Sequence, residues 1–141
     1  MNILVDTSVW SLALRRHRED LNSAERSMVA ELTELTHEGR AKIVGPIRYE
    51  LLSGIKTSAQ FEMLRGLLRA FPDEPIFTAD YEAAANAGTL CRSKGIAVSA
   101  VDVLVCAIGI SRGWAIFTSD PGFKRYGRVL PLQIHTLRPP R

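Results

Sequence analysis

Cysteine is scarce in this chain of 141 residues: only Cys91 and Cys106 occur. Both fall within helical patterns and neither has metal-ligand spacing, so a disulfide framework and a thiolate zinc site are both excluded, and the two thiols are expected to be reduced. Long hydrophobic runs are also missing. The most apolar stretch, Ile96 to Ile110, is interrupted by Ser99 and Asp102 and falls short of the roughly 20 apolar residues that a membrane-spanning helix needs. The opening residues Met1 to Asp6 carry no basic segment, no long apolar core and no small-residue cleavage site, and are expected to form the first strand of a cytoplasmic protein rather than an export signal. Neither sign of charge dominates, with 18 Lys and Arg against 15 Asp and Glu and a net charge of +3. This balance mildly favours a polyanionic partner. The basic clusters at Arg15-Arg16-His17-Arg18 and at Lys124-Arg125-Tyr126-Gly127-Arg128 can equally be read as solvated faces. Repeats, low-complexity tracts and linkers are absent.

What is present is the material of one folded unit. At 46% hydrophobic and 23% charged residues, a chain of this length can bury about two-thirds of its unfolded surface without metal or disulfide staples. A single domain is expected over 1–137, with the Pro-rich end 138–141 as a frayed tail. Ile3 to Val5 reads as a strand that runs into a helix at Asp6-Thr7-Ser8, whose side chains are those that commonly cap helix starts. Met28, Val29, Leu32 and Leu35 recur at helical spacing between Ala24 and Glu38, and Gly39 is a fitting stop. A strand over 42–45 then leads through Pro46 into a short helix at 47–53 that carries Glu50. The spacing of Phe61, Leu64, Leu67, Leu68 and Phe71 predicts a further helix that ends before Pro72 and Pro75. Ile76-Phe77 is expected to be a third strand, followed by a helix to about Lys94. Ser99 to Asp102 resembles a capping box and opens an almost wholly apolar helix ending near Gly113, which must be buried. Trp114 to Phe117 and Leu130 to Leu137 are expected strands, with a loop over 118–122 between them. Such alternation points to an α/β domain with a mostly parallel sheet covered by helices on both faces.

In open parallel sheets, sites form beyond the carboxyl ends of the strands, where the strand order reverses. Asp6 and Asp120 follow two strands directly. Asp102 opens a helix that runs antiparallel to the strand it precedes, which returns it to the same edge. Glu50, near the start of its own helix, can reach that edge as well. Clustered carboxylates repel one another and raise each other's pKa unless a cation neutralises them. An all-oxygen donor set without a Cys or His cluster favours Mg²⁺, or Mn²⁺, over zinc. A hard cation in such a site suits phosphodiester hydrolysis. Each acid also has a local explanation: Asp6 as a helix cap, Asp102 as part of a capping box, Asp120 as a turn former before Pro121, and Glu50 as a surface glutamate. The functional reading rests on their joint placement.

The sequence resembles the PIN-domain nucleases, and within them the toxins of VapBC-type toxin and antitoxin pairs. The resemblance lies in Ile3-Leu4-Val5-Asp6-Thr7-Ser8-Val9-Trp10, in Tyr49-Glu50-Leu51-Leu52-Ser53-Gly54, in Val98 to Ala107 around Asp102, and in Thr118-Ser119-Asp120-Pro121-Gly122-Phe123. It implies a three-layer domain with about five central strands, and a Mg²⁺-dependent endoribonuclease. Asp6 and Asp102 would be the principal metal ligands, Asp120 would bind metal directly or through water, and Glu50 would position or deprotonate the attacking water. Thr7, Ser8 or Thr118 would hold these carboxylates or a substrate phosphate. The resemblance further implies an RNA substrate, a homodimer and a cognate antitoxin, with Arg15, Arg16, Arg18, Lys124 and Arg125 as candidates for RNA backbone affinity. The chain departs from the pattern at Gly122, where many relatives carry a further acid, which bears on a second metal. The other readings are a PIN nuclease of RNA processing outside toxin systems, a non-catalytic RNA-binding module, and a phosphatase with Asp6 as nucleophile. For the phosphatase the expected second acid is replaced by Ser8.

Overall fold

The computed structural model describes residues 1–139. Its sheet has three short parallel strands, β1 (Ile3–Val5), β2 (Ala41–Lys42) and β3 (Ala115–Phe117), in the order β2-β1-β3. Ile3 sits opposite both Ala41 and Ala115, and Val5 opposite Phe117. All three residues of β1 are buried, as a strand covered on both faces requires. The helices are α1 (Thr7–Leu14), α2 (Ser23–His37), α3 (Gly45–Leu52), α4 (Ser58–Leu68), α5 (Thr78–Ser93), α6 (Ala100–Arg112) and α7 (Gly122–Tyr126), with a 3-10 turn at Arg18–Asp20. α6 packs on β3 and α5 on α6, while α2 packs on β2 and α1 lies against α2 and α3. The expected α/β class is found, with fewer strands than five.

Two expected strands shrink for a shared reason. Ile76-Phe77 forms no strand; the chain instead touches the sheet a few residues earlier, through a bridge between Ile43 and Asp73 and the bond from Glu74 N–H to the Ile43 carbonyl at 2.9 Å. Pro72 and Pro75 bracket that contact, and neither has an N–H with which to extend a ladder. The expected strand from Leu130 to Leu137 reduces to a bridge between Ile116 and Ile134. Ile116 N–H donates to Gln133 and His135 N–H to Ile116, and Pro131 removes a donor just before this segment.

Burial follows the apolar pattern closely. Trp10, Leu64 and Leu68 are in the core and Leu14 packs against it. The Trp10 indole N–H donates to the Val5 carbonyl at 3.0 Å, and the ring meets Phe71 edge-on at 4.7 Å. Every residue of α6 from Val103 to Gly109 is buried, including the free thiol of Cys106; Cys91 of α5 is also free and buried. Desolvation, followed by the nearby Asp102 charge, pushes the Cys106 thiol up to about 12, so it stays protonated at neutral pH. α6 lies directly on β3 because Gly109 has no side chain: a Cβ there would stand 3.1 Å from the Trp114 carbonyl oxygen and 3.2 Å from Ile116. Gly113, at φ +68°, then ends the helix in the left-handed conformation and turns the chain into β3.

Side-chain contacts hold the end of the chain against α2 as far as Arg138. Glu31 of α2, only 7% exposed, accepts from Arg138 Nε at 3.0 Å and Nη2 at 2.9 Å, and pairs with His135 Nε2 at 2.7 Å. Arg138 also reaches Glu38 at 2.8 Å. The last two residues of the expected tail, 140–141, lie outside the described residues.

Candidate active site

The strand order places the reversal point between β1 and β3, because the chain leaves central β1 for β2 on one side and returns as β3 on the other. Asp6 stands at the carboxyl end of β1 and caps α1, its Oδ2 accepting weakly from Ser8 N–H at 3.4 Å. Capping and site placement therefore coincide. The same Oδ2 accepts from the hydroxyls of Ser8 at 2.8 Å and Thr118 at 2.9 Å. Thr118, just past β3, thus ties the two strand ends together, an arrangement reinforced by the bond from Asp6 N–H to the Phe117 carbonyl. Asp6 is 4% exposed, so these bonds offset much of the cost of burying a carboxylate.

Asp102 arrives as the antiparallel geometry of a helix–strand unit requires, in the first turn of α6. The expected capping box is only half made. Ser99 Oγ accepts from Asp102 N–H at 3.1 Å, but the Asp102 carboxylate turns instead to Tyr126, whose hydroxyl donates to Oδ2 at 2.8 Å. Glu50 lies in the last turn of α3 rather than near its start, and it reaches the site through α1: Thr7 Oγ1 donates to Glu50 Oε1 at 2.6 Å. Asp120, exposed on the loop after β3, accepts from Gly122 N–H on Oδ1 at 2.8 Å, while its own N–H donates to Thr118 Oγ1.

The four acids form one electrostatic cluster. Burial pushes the Asp102 carboxyl above its ordinary range and the charges of Asp6, Asp120 and Glu50 push it further, against the opposing hydrogen bond from Tyr126. Among the described residues, no three Asp, Glu, His or Cys side chains close into a ready-made cage. Mg²⁺ fits such a place, because it keeps several of its waters and takes only one or two carboxylates directly. Each acid also has one oxygen fastened and one with no donor among the described residues: Oδ1 of Asp6 and Asp102, Oδ2 of Asp120 and Oε2 of Glu50. The donor set and its free oxygens match a hard divalent cation.

The basic candidates separate. Arg125 is at the site, its Nη2 lying 3.5 Å from where a Gly122 Cβ would be, and Lys124 is exposed beside it on α7. Arg15, Arg16 and Arg18 follow the far end of α1, about 12 Å of helix from Asp6. There Arg16 pairs with Glu25 at 3.7 Å. Tyr126 is the neighbour that the sequence reading did not single out. The signal for it was the aromatic pair Phe123 and Tyr126 at helical spacing inside a basic stretch, and the two rings pack edge-on at 5.1 Å.

The Thr118 hydroxyl can be tested directly. Thr118→Val should keep the fold and, with Asp6 as a metal ligand, lower metal-dependent activity by about tenfold to a hundredfold, the usual cost of losing a group that orients a ligating carboxylate. An unchanged rate at matched metal concentration would mean that Asp6 needs no such support.

A carboxylate cluster at the switch point of a parallel sheet lies where domains of this architecture place their ligand sites. The family to which this chain belongs is the PIN domain, whose model matches residues 3–129; PIN domains are generally nucleases and typically depend on divalent metal. Comparison with curated proteins gives no match. The structure resembles that of FitAcB from Neisseria gonorrhoeae, with a TM-score of 0.73 at 19% identity over 95% of this chain and 96% of that one. It also resembles VapBC2 from Rickettsia felis, solved bound to a DNA fragment from their promoter, with a TM-score of 0.72 at 16% identity over 96% and 98% of the two chains. Among the described residues no helix is long and apolar enough to cross a membrane.

Proposed function

We propose that the protein is a Mg²⁺-dependent endoribonuclease and the toxin of a cytoplasmic toxin and antitoxin pair, acting as a homodimer and silenced by its antitoxin. The observation that carries the catalytic reading is the acid quartet at the sheet edge, each carboxylate held by one oxygen with the other left open. Support for the toxin reading comes from the sequence motifs around these acids and from the likeness to VapBC2.

Asp6 and Asp102 would hold the cation, with Asp120 binding it directly or through water. Once bound, the cation supplies polarisation of a phosphoryl oxygen and activation of water. Glu50, oriented by Thr7, accepts the proton of the attacking water. Asp6 keeps its position through the reaction because Ser8 and Thr118 fix one of its oxygens. Lys124 and Arg125 attract the RNA backbone to an edge that would otherwise repel it.

The test is cleavage of a structured RNA mixture by purified protein, with Mg²⁺, with Mn²⁺ and with EDTA. Cleavage that requires either metal and stops in EDTA is the expected result. Metal binding without RNA cleavage would return the RNA-binding module to the front, and equal cleavage in EDTA would remove the metal from the reaction.

A further inference from the structure

We infer that Tyr126 is a positioning residue for the cation: its hydroxyl fastens one oxygen of Asp102 so that the other faces the site. This rests on the reading of the quartet as a metal site, and it assigns a role to a residue outside the quartet.

Three observations meet at this hydroxyl. First, Asp102 sits in a first helical turn, where its carboxylate would ordinarily fold back onto the N–H of Ser99 to complete a capping box. It does not, and Tyr126 takes it instead at 2.8 Å. Second, Tyr126 is 4% exposed and its ring is wedged against Phe123, so the hydroxyl has little freedom. α7 exists at the right place to deliver it, starting two residues after Asp120. Third, Gly122 leaves room for it. A Cβ at 122 would stand 3.2 Å from both the Tyr126 hydroxyl and Asp120 Oδ1, closer than ordinary side-chain contact. The phenol therefore lies beside two acids of the quartet, on ground that a side chain at 122 would crowd.

A merely structural tyrosine would use the hydroxyl to satisfy itself, and its loss would be felt in stability. A positioning tyrosine orients a ligand, and its loss is felt in metal affinity. Groups of this kind typically contribute 10–100-fold in metal affinity.

Mn²⁺ binding to the full chain, followed by electron paramagnetic resonance and by calorimetry, separates the two roles when combined with metal-free melting curves. Tyr126→Phe keeps the ring and removes only the hydroxyl, and it is expected to bind Mn²⁺ about tenfold or more weakly while melting close to the parent without metal. Gly122→Ala keeps the tyrosine but crowds its hydroxyl, and should weaken Mn²⁺ binding in the same direction. Parent-like or tighter binding by Tyr126→Phe, with the parent binding Mn²⁺ normally, would overturn the inference and leave the metal site standing. So would weaker binding accompanied by a large fall in metal-free melting temperature. Failure of the parent itself to bind Mn²⁺ would overturn the metal reading, and this inference with it.

Discussion

Asp102→Asn is expected to lower Mg²⁺-dependent RNA cleavage on the order of a thousandfold while raising the melting temperature of the metal-free protein. The first effect follows from the chemistry of the site. Replacing a charged ligand removes several kcal/mol of transition-state stabilisation, and each 1.36 kcal/mol is a factor of about ten in rate. The second follows from electrostatics. Burial and the charges of Asp6, Asp120 and Glu50 hold the Asp102 carboxyl above its ordinary range, against the hydrogen bond from Tyr126. A carboxyl whose folded pKa exceeds its unfolded one binds its proton more tightly when folded. Stability therefore falls as pH rises from the unfolded pKa through the folded one, and a constant penalty remains above it. Asparagine carries no such penalty, and its carbonyl can still accept from Tyr126. Single-turnover cleavage and calorimetry in EDTA at neutral pH check the two halves. A variant that cleaves within tenfold of the parent would remove Asp102 from the reaction, and one that melts much lower would make the lost activity a folding defect.

Glu31→Ala is expected to lower stability by about 2–3 kcal/mol, because it strips a buried carboxylate from Arg138 and His135 at once. Full buried-pair values are not reached, since Arg138 is partly exposed and keeps Glu38. For a chain of this size the melting temperature should fall by roughly 5–12 °C. The pH dependence has the opposite sign to that of Asp102. Burial pushes the Glu31 carboxyl up, but the hydrogen bonds from Arg138 and His135, with the Arg138 backbone and charge, outweigh it and the net shift is downward. The contribution is then complete above the unfolded carboxyl pKa and is lost as pH falls through the folded one. Melting curves between pH 3 and 7 should thus converge for parent and variant at the acid end. Curves that stay parallel throughout would show that the ionisation of Glu31 contributes nothing over this range, and coincident curves that the pairing contributes nothing.

The difference between what was legible in the sequence and what was not is physical. β1, α6 and β3 could be read because an apolar strand or helix buried on all sides leaves an unbroken run, as at Ile3 to Val5 and Val103 to Gly109. The placement of Asp102 beside Asp6 follows from chain direction alone, since a helix preceding a parallel strand must run back against it. Strand extent was harder to read. Prolines 72, 75 and 131 limit the outer segments to single bridges; the missing N–H groups are plain in the sequence, but how much ladder survives beside them depends on the neighbouring strand. Glu50 falls in the last turn because α3 starts at Gly45 and stops at Leu52, earlier at both ends than the spacing predicts, and its link to the site is a hydrogen bond to Thr7, 43 positions away. For Tyr126 the aromatic spacing with Phe123 marks the residue but not its role, which turns on a hydrogen bond to a residue 24 positions away.

Gly109 and Asp102 share a helix and lie seven residues apart, about 10 Å along its axis. α6 is in effect a lever: its fulcrum is the point where Gly109 rests on Trp114 and Ile116, and its working end carries a carboxylate of the quartet. A methyl group at the fulcrum would stand 3.1 Å from the Trp114 carbonyl oxygen, backbone that no side-chain rotation moves, so helix and strand would have to part there by a few tenths of an ångström. A tilt of α6 that made this room would be carried along the helix toward Asp102, although nothing chemical has changed at the site. The packing of the core and the aim of the acid are thus a single mechanical quantity in this protein, and drift in one would be inherited by the other.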